Sequence, residues 1–178
     1  MLEDINKYDK DFVEASFITK VDHIFIMILN AITENDLSTV KHYLSEDVYN
    51  HFNDLINDYM DKHLIRLFDE MNVKSTDIIN YEVIDDKINI VVNLVSRYMD
   101  YFINEDGEFV SGTDDHRLEI SHRIVFTKKL DTKELKEVRR CPYCGHSLDI
   151  NASGLCSYCN QTINMSEYDY IVTEINNI

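Results

Sequence analysis

Four cysteines stand in two pairs, Cys141-Pro142-Tyr143-Cys144 and Cys156-Ser157-Tyr158-Cys159, with eleven residues between Cys144 and Cys156. They are all the cysteines of the chain. A CxxC segment wraps a tight turn around a metal, and two such turns facing each other supply four thiolates at tetrahedral geometry. The spacing is that of a zinc ribbon. A disulfide framework is the competing reading. It is disfavoured because no secretory signal precedes the pairs and no cysteine is left over elsewhere. Four thiolates also suit iron, but the ribbon spacing favours one zinc ion. A closed four-thiolate site leaves no open coordination position, so the expected role of the metal is structural rather than catalytic.

The neighbours of the thiols fit this chemistry. Pro142 fixes a backbone angle inside the first turn. Gly145 follows the second cysteine, where such a turn needs positive φ. Asn160 holds the matching place in the second turn, and asparagine is the next most tolerant residue there. Gly154 precedes the second pair. Four thiolates and one divalent ion leave a local charge of −2, which Lys136, Arg139 and Arg140 directly upstream would offset. His146 is read as a neighbour of the site rather than a ligand, because four thiols are already present.

Elsewhere the chemistry-bearing residues are fewer. Asp100 falls in register with Val92, Leu94, Tyr98 and Phe102 if its strand is regular. A carboxyl facing an apolar interior could act as a general base with a raised pKa. The plainer reading is a carboxylate paired with a nearby Arg or Tyr. His122 lies on an otherwise apolar strand face, where a buried, hydrogen-bonded histidine is the commoner outcome than a pocket acid or base. Tyr81, Tyr98, Tyr101, Phe102 and Phe126 either line a ligand pocket or fill the interior. The candidate pocket is therefore Asp100, His122, Tyr98 and Tyr81. No second group completes a catalytic set, so no catalytic residue is assigned.

The elements that must position these residues follow from periodicity. From Asp11 to Thr33, apolar residues recur at mostly three- and four-residue steps, which predicts a long helix. Asp36 reads as the N-cap of a short helix through Val40 and Leu44. Ser45 caps a third helix whose inward stripe runs from Val48 through Phe52, Ile56 and Tyr59 to Leu64. After Met71 the period drops to two. Ile79, Tyr81 and Val83 mark a first strand, and Ile88 to Ile103 a second. Asn104 to Gly107 is a turn, Phe109 to Gly112 begins the return, and Leu118 to Phe126 alternate in another strand. Tyr168 to Ile175 is a last strand or short helix. Helices followed by long antiparallel strands give an α+β class. Residues 1–137 and 166–178 form one domain, with the ribbon, 138–165, inserted near its end.

Charge narrows the partners. The 178 residues carry 33 acids against 17 bases, a formal −16. Such a chain repels phosphate backbones and anionic lipid, so neither nucleic-acid binding nor direct membrane binding is expected. No segment is read as approaching a membrane span of about 18 residues, since the run Ile24 to Leu29 is broken by Asn30. Met1 is followed at once by acids, so no signal peptide is read. A cytoplasmic protein is expected.

Four stretches carry a resemblance. They are Leu29-Asn30-Ala31-Ile32-Thr33-Glu34-Asn35-Asp36-Leu37 with Tyr43-Leu44-Ser45 and Tyr49; Asp100-Tyr101-Phe102 with Gly107 and Gly112; Ile124-Val125-Phe126; and the ribbon, with Leu148 to Gly154 between its pairs. In these the chain resembles the bacterial Tim44-like domain proteins, an NTF2-like group whose members often carry a zinc ribbon. It departs from them at Asn160, where glycine is usual, and at Ile32, where an aromatic residue is usual. The resemblance implies an NTF2-like cone, with N-terminal helices packed on a curved antiparallel sheet. It also implies a non-enzymatic, transport-related adaptor acting through protein contacts. Its partner would be an unidentified protein, which would allow a peripheral place at the inner face of the membrane, and the open sheet face would allow a homodimer. The alternative is a small-molecule-binding or enzymatic member that uses the cone.

Overall fold

The computed structural model describes residues 2–130, 140–141, 143–147, 149, 154–163, 165 and 169–178. Pro142, Lys136, Arg139 and Tyr168, and the stretch from Ile150 to Ser153, lie outside the described residues.

Helix α1, Glu14–Thr33, buries Phe17, Val21, Ile24, Phe25, Ile28, Leu29, Ala31 and Ile32. Their spacing puts a broad apolar face on the sheet, and each fully buried large side chain contributes about 1.5–3 kcal/mol. By length and composition alone α1 is apolar enough to cross a membrane. The sequence reading that nothing approaches a span was therefore too strict. Its polar residues are too sparse to lower the average, and the fold shows why the apolar ones are there. Ile26 and Met27, at the margin of the stripe, are also packed against the core.

After α1 the expected short helix is reduced to a 3-10 turn, Lys41–Tyr43. Asp36 does cap a turn, its Oδ1 accepting the Ser38 amide at 2.9 Å, but no α-helix follows. Helix α2, Glu46–Asp61, starts at Ser45, whose hydroxyl accepts the Val48 amide. Glu46 and Asp47 in its first turn face the positive end of the helix dipole.

Among the described residues, four antiparallel strands follow in sheet order β1-β2-β3-β4: β1 Leu64–Ile84, β2 Lys87–Asn104, β3 Phe109–Lys129 and β4 Ile171–Ile175. The first strand begins at Leu64, well before the expected change of period. Leu64 pairs with Asn104 instead of ending the stripe of α2. The β2–β3 turn is held by Asn104, whose Oδ1 accepts the amides of Asp106 and Glu108.

Register shifts bend the long strands. Tyr98 pairs with Leu118 but Asp100 with Thr113, so Asp114 to Arg117 bulge out opposite Met99. Gly112 sits against the neighbouring strand: a Cβ there would fall 2.5 Å from the Asp100 carbonyl oxygen. Among the described residues the result is two α-helices on a curved, open antiparallel sheet, an α+β arrangement consistent with an NTF2-like cone. After the ribbon the chain returns to the edge of this sheet, where β4 pairs with β3 and Leu44 bridges Val172.

Candidate metal centre

The two cysteine turns are built alike. The Cys141 amide donates to the His146 carbonyl and the Cys156 amide to the Gln161 carbonyl, at 2.9 and 3.0 Å. The Gly145 amide returns to Cys141 O and the Asn160 amide to Cys156 O, both at 2.9 Å. Short bridges, Arg140 with Ser147 and Leu155 with Thr162, close each turn. Every residue of the second turn is displaced fifteen positions from its counterpart in the first. The residue after each second cysteine has positive φ, +72° at Gly145 and +58° at Asn160. Asparagine tolerates that conformation well enough to stand where glycine does in the first turn.

The turns bring all four sulfurs within 4.8 Å of one another. Cys141 Sγ lies 3.7 Å from Cys159 Sγ, and Cys144 Sγ 3.9 Å from Cys156 Sγ. A metal–thiolate distance of about 2.3 Å gives a tetrahedron with edges of about 3.8 Å, so the four positions fit one ion. A disulfide would need sulfurs about 2.05 Å apart, and all four cysteines are free. Cys141 and Cys156 are buried with Ile163, while Cys144 and Cys159 are half-buried.

The electrostatics also call for a cation. Burial opposes ionisation of Cys141, but amide donors from Cys144 and Tyr143 outweigh it and bring the thiol down to about 7. At Cys159 the Gln161 amide favours the thiolate, yet burial and the crowding of neighbouring sulfurs push it up to about 12. Thiols this close do not ionise together unless a positive ion sits between them. Arg140 supplies local positive charge, its Nη1 donating to the Gly145 carbonyl at 2.9 Å. His146 is exposed and stacks on Tyr158, ring centroids 4.7 Å apart. The positions match a closed site and leave the imidazole outside it.

Among the described residues, a close approach between Gly154 and His42 seats the ribbon on the domain. Gly154, at φ +72°, lies against the imidazole of His42 in the 3-10 turn. The Ile163 amide donates to the Gly154 carbonyl at 3.0 Å. His42 was not singled out by sequence reasoning, because a contact between residues 42 and 154 leaves no local signature.

The other candidate residues are distributed as follows. Asp100 accepts two hydrogen bonds from one guanidinium, Arg66 Nε at 2.9 Å and Nη2 at 2.8 Å. Arg66 is itself held by the Tyr59 hydroxyl and the face of Phe68. His122 is fully buried, with Nε2 2.7 Å from Ser96 Oγ and Nδ1 3.2 Å from the Asn176 carbonyl. Burial lowers its pKa. Tyr98 stacks near His122, ring centroids 6.2 Å apart, and is pushed up to about 12 by burial and then by the Asp100 charge. These three share one region of the interior. Tyr81 is elsewhere, against Tyr8.

A second polar cluster ties the chain's beginning to its end. The buried Asp9 carboxylate accepts from Lys128 Nζ at 2.8 Å and from the Tyr170 hydroxyl at 2.9 Å. Lys20 pairs with Asp169 beside it.

The profile of one protein family, described as the Tim44-like domain, matches residues 1–138. The match ends just short of Cys141. No curated protein matches the chain.

Proposed function

The chain belongs to the Tim44-like domain family, and on that premise we propose that it is a non-enzymatic, transport-related adaptor whose cysteine ribbon carries a structural zinc ion. The observation that carries the zinc is the gathering of the four sulfurs within 4.8 Å of one another, made by two near-identical turns. When bound, the ion neutralises the thiolates and links two turns that share little apolar surface of their own. Cys141, Cys144, Cys156 and Cys159 are its ligands, and the amide hydrogen bonds of each turn orient them.

The adaptor reading is supported by the state of the groups a cone enzyme would use. Both oxygens of Asp100 are engaged by Arg66, and both nitrogens of His122 have partners. Neither is poised to take a proton from a substrate. The ribbon instead offers surface: Tyr143 and Tyr158 occupy the same place in the two turns, and both are more than half exposed. Exposed tyrosines on a rigid, metal-pinned turn present contact area at little cost in conformational entropy. The partner is a protein, and an excess of sixteen negative charges disfavours nucleic acid. Any membrane association is peripheral and passes through that partner.

The test is affinity purification of the tagged chain from its native cell with quantitative mass spectrometry, beside the Cys141→Ser/Cys144→Ser variant. A membrane or secretion component enriched by the wild type and lost by the variant supports the reading. Enrichment of the same proteins by both removes the ribbon from the contact.

A further inference from the structure

A cleft of about 500 Å³ opens between the cysteine ribbon and the sheet domain. One side is apolar, formed by Leu44, Leu155, Ile163, Met165 and Ile171. The polar lining comes from Ser38, Thr39, Lys41 and His42, in the connection between α1 and α2, and from Thr162 across the gap. A concave, largely apolar site of this size with a few converging polar groups is the usual form of a small-ligand site.

Three features set the chemistry of its occupant. The first is charge. In a chain of 33 acids, no carboxylate among the described residues lines this cleft, and the one charged residue among them is Lys41. The second is that Lys41 has no acidic partner among the described residues. Its ammonium rests 5.0 Å over the Tyr49 ring, a contact that leaves its N–H donors available. The third is His42, which is 9 % exposed and whose two ring nitrogens are both buried without a partner. Burial, and then the nearby Lys20 charge, lower its pKa, which disfavours a second proton on the ring, and a neutral imidazole carries one N–H donor. A buried polar group left unpaired among otherwise satisfied neighbours calls for an explanation.

One cation and a set of neutral donors suit a single negative charge. A dianionic phosphate would call for more than one positive group. The apolar wall demands a hydrophobic body attached to that head. We propose that the cleft between ribbon and sheet domain binds a small amphipathic carboxylate, its head at the Lys41 ammonium beside His42 and its apolar chain along Leu155, Ile163 and Ile171. The site exists only while the ribbon is seated, because Leu155, Thr162 and Ile163 belong to the ribbon. It requires neither the adaptor role nor a protein partner.

The test is calorimetric titration of the full, zinc-loaded chain with decanoate, and with decan-1-ol as the uncharged control. The expected result is one decanoate per chain, bound at least about tenfold more tightly than the alcohol. Lys41→Met should lower decanoate affinity to that of the alcohol, and Lys41→Arg should retain it. Thr162→Trp, which fills the cleft from an exposed position, should abolish binding of both. Unchanged circular dichroism and zinc content in each variant establish that the fold is intact. Equal affinity for decanoate and decanol, no effect of Lys41→Met, or full binding by the Trp variant would each overturn the proposal.

Discussion

Gly154 lies directly on His42: a Cβ added to the glycine would fall 2.5 Å from His42 Cβ and 2.7 Å from its Cγ. This contact seats the ribbon on the sheet domain. Gly154→Ala should therefore both strain a backbone held at φ +72° and force the two parts aside. A cost of about 1–3 kcal/mol is expected, seen as a lower melting temperature and weaker zinc retention. Gly145→Ala is the internal control. It has the same φ but nothing within 4 Å of its Cβ, so it should cost less. Equal effects would remove the contact as the cause.

Replacing Cys141 and Cys144 with serine should release the metal and unfold the ribbon while leaving α1 and the sheet in place. Among the described residues of the ribbon, Ile163 is the buried apolar side chain beside the cysteines themselves, so the metal is expected to supply the folding free energy of this segment. Hydrogen exchange should show loss of protection at Cys156 and Asn160, whose amides close the second turn, and none through α1. Retained protection at those amides would contradict the structural role of the ion.

Arg66 and Asp100 are paired with side chains only 11 % and 20 % exposed. Arg66→Ala leaves a mostly buried carboxylate without its fork of donors, and should cost on the order of 3 kcal/mol. Asp100→Asn keeps the shape and should cost less. Urea unfolding of both variants checks the order. If Asp100 acted instead as a general base, the two variants would differ in activity rather than in stability.

Burial lowers the pKa values of both His122 and His42. The unfolded chain takes up these protons near the ordinary histidine value, about 6.5, while the folded chain resists them. The associated stability is present above that value and is lost as pH falls through the lower folded values. Urea midpoints should therefore decline between about pH 7 and pH 5, and His122→Asn should flatten part of the decline. A midpoint in that variant that falls as steeply as in the wild type would exclude His122 as a source. Zinc content measured in parallel separates this from acid release of the metal.

What the sequence revealed was mostly local. The Ser45 cap, the Asn104–Gly107 turn and the positive φ at Gly145 and Asn160 each depend on a residue type at a fixed offset. The start of β1 was hidden because Leu64 and Leu67 continue the apolar spacing of α2, and pairing with β2 decides their state. The bulge at Asp114 to Arg117 and the seat of Gly154 on His42 arise between segments far apart in the chain. Nothing within either segment records them. The cleft beside Lys41 was missed for the same reason, since it exists only where the ribbon meets the α1–α2 connection.

The most direct test of the central claim is X-ray absorption at the zinc K-edge on the chain purified without added metal. The expected result is one zinc per chain with four sulfur scatterers at about 2.3 Å and no nitrogen or oxygen bound to the metal. A shell containing a histidine nitrogen or water, or a chain that carries no zinc, would contradict a closed four-cysteine structural site.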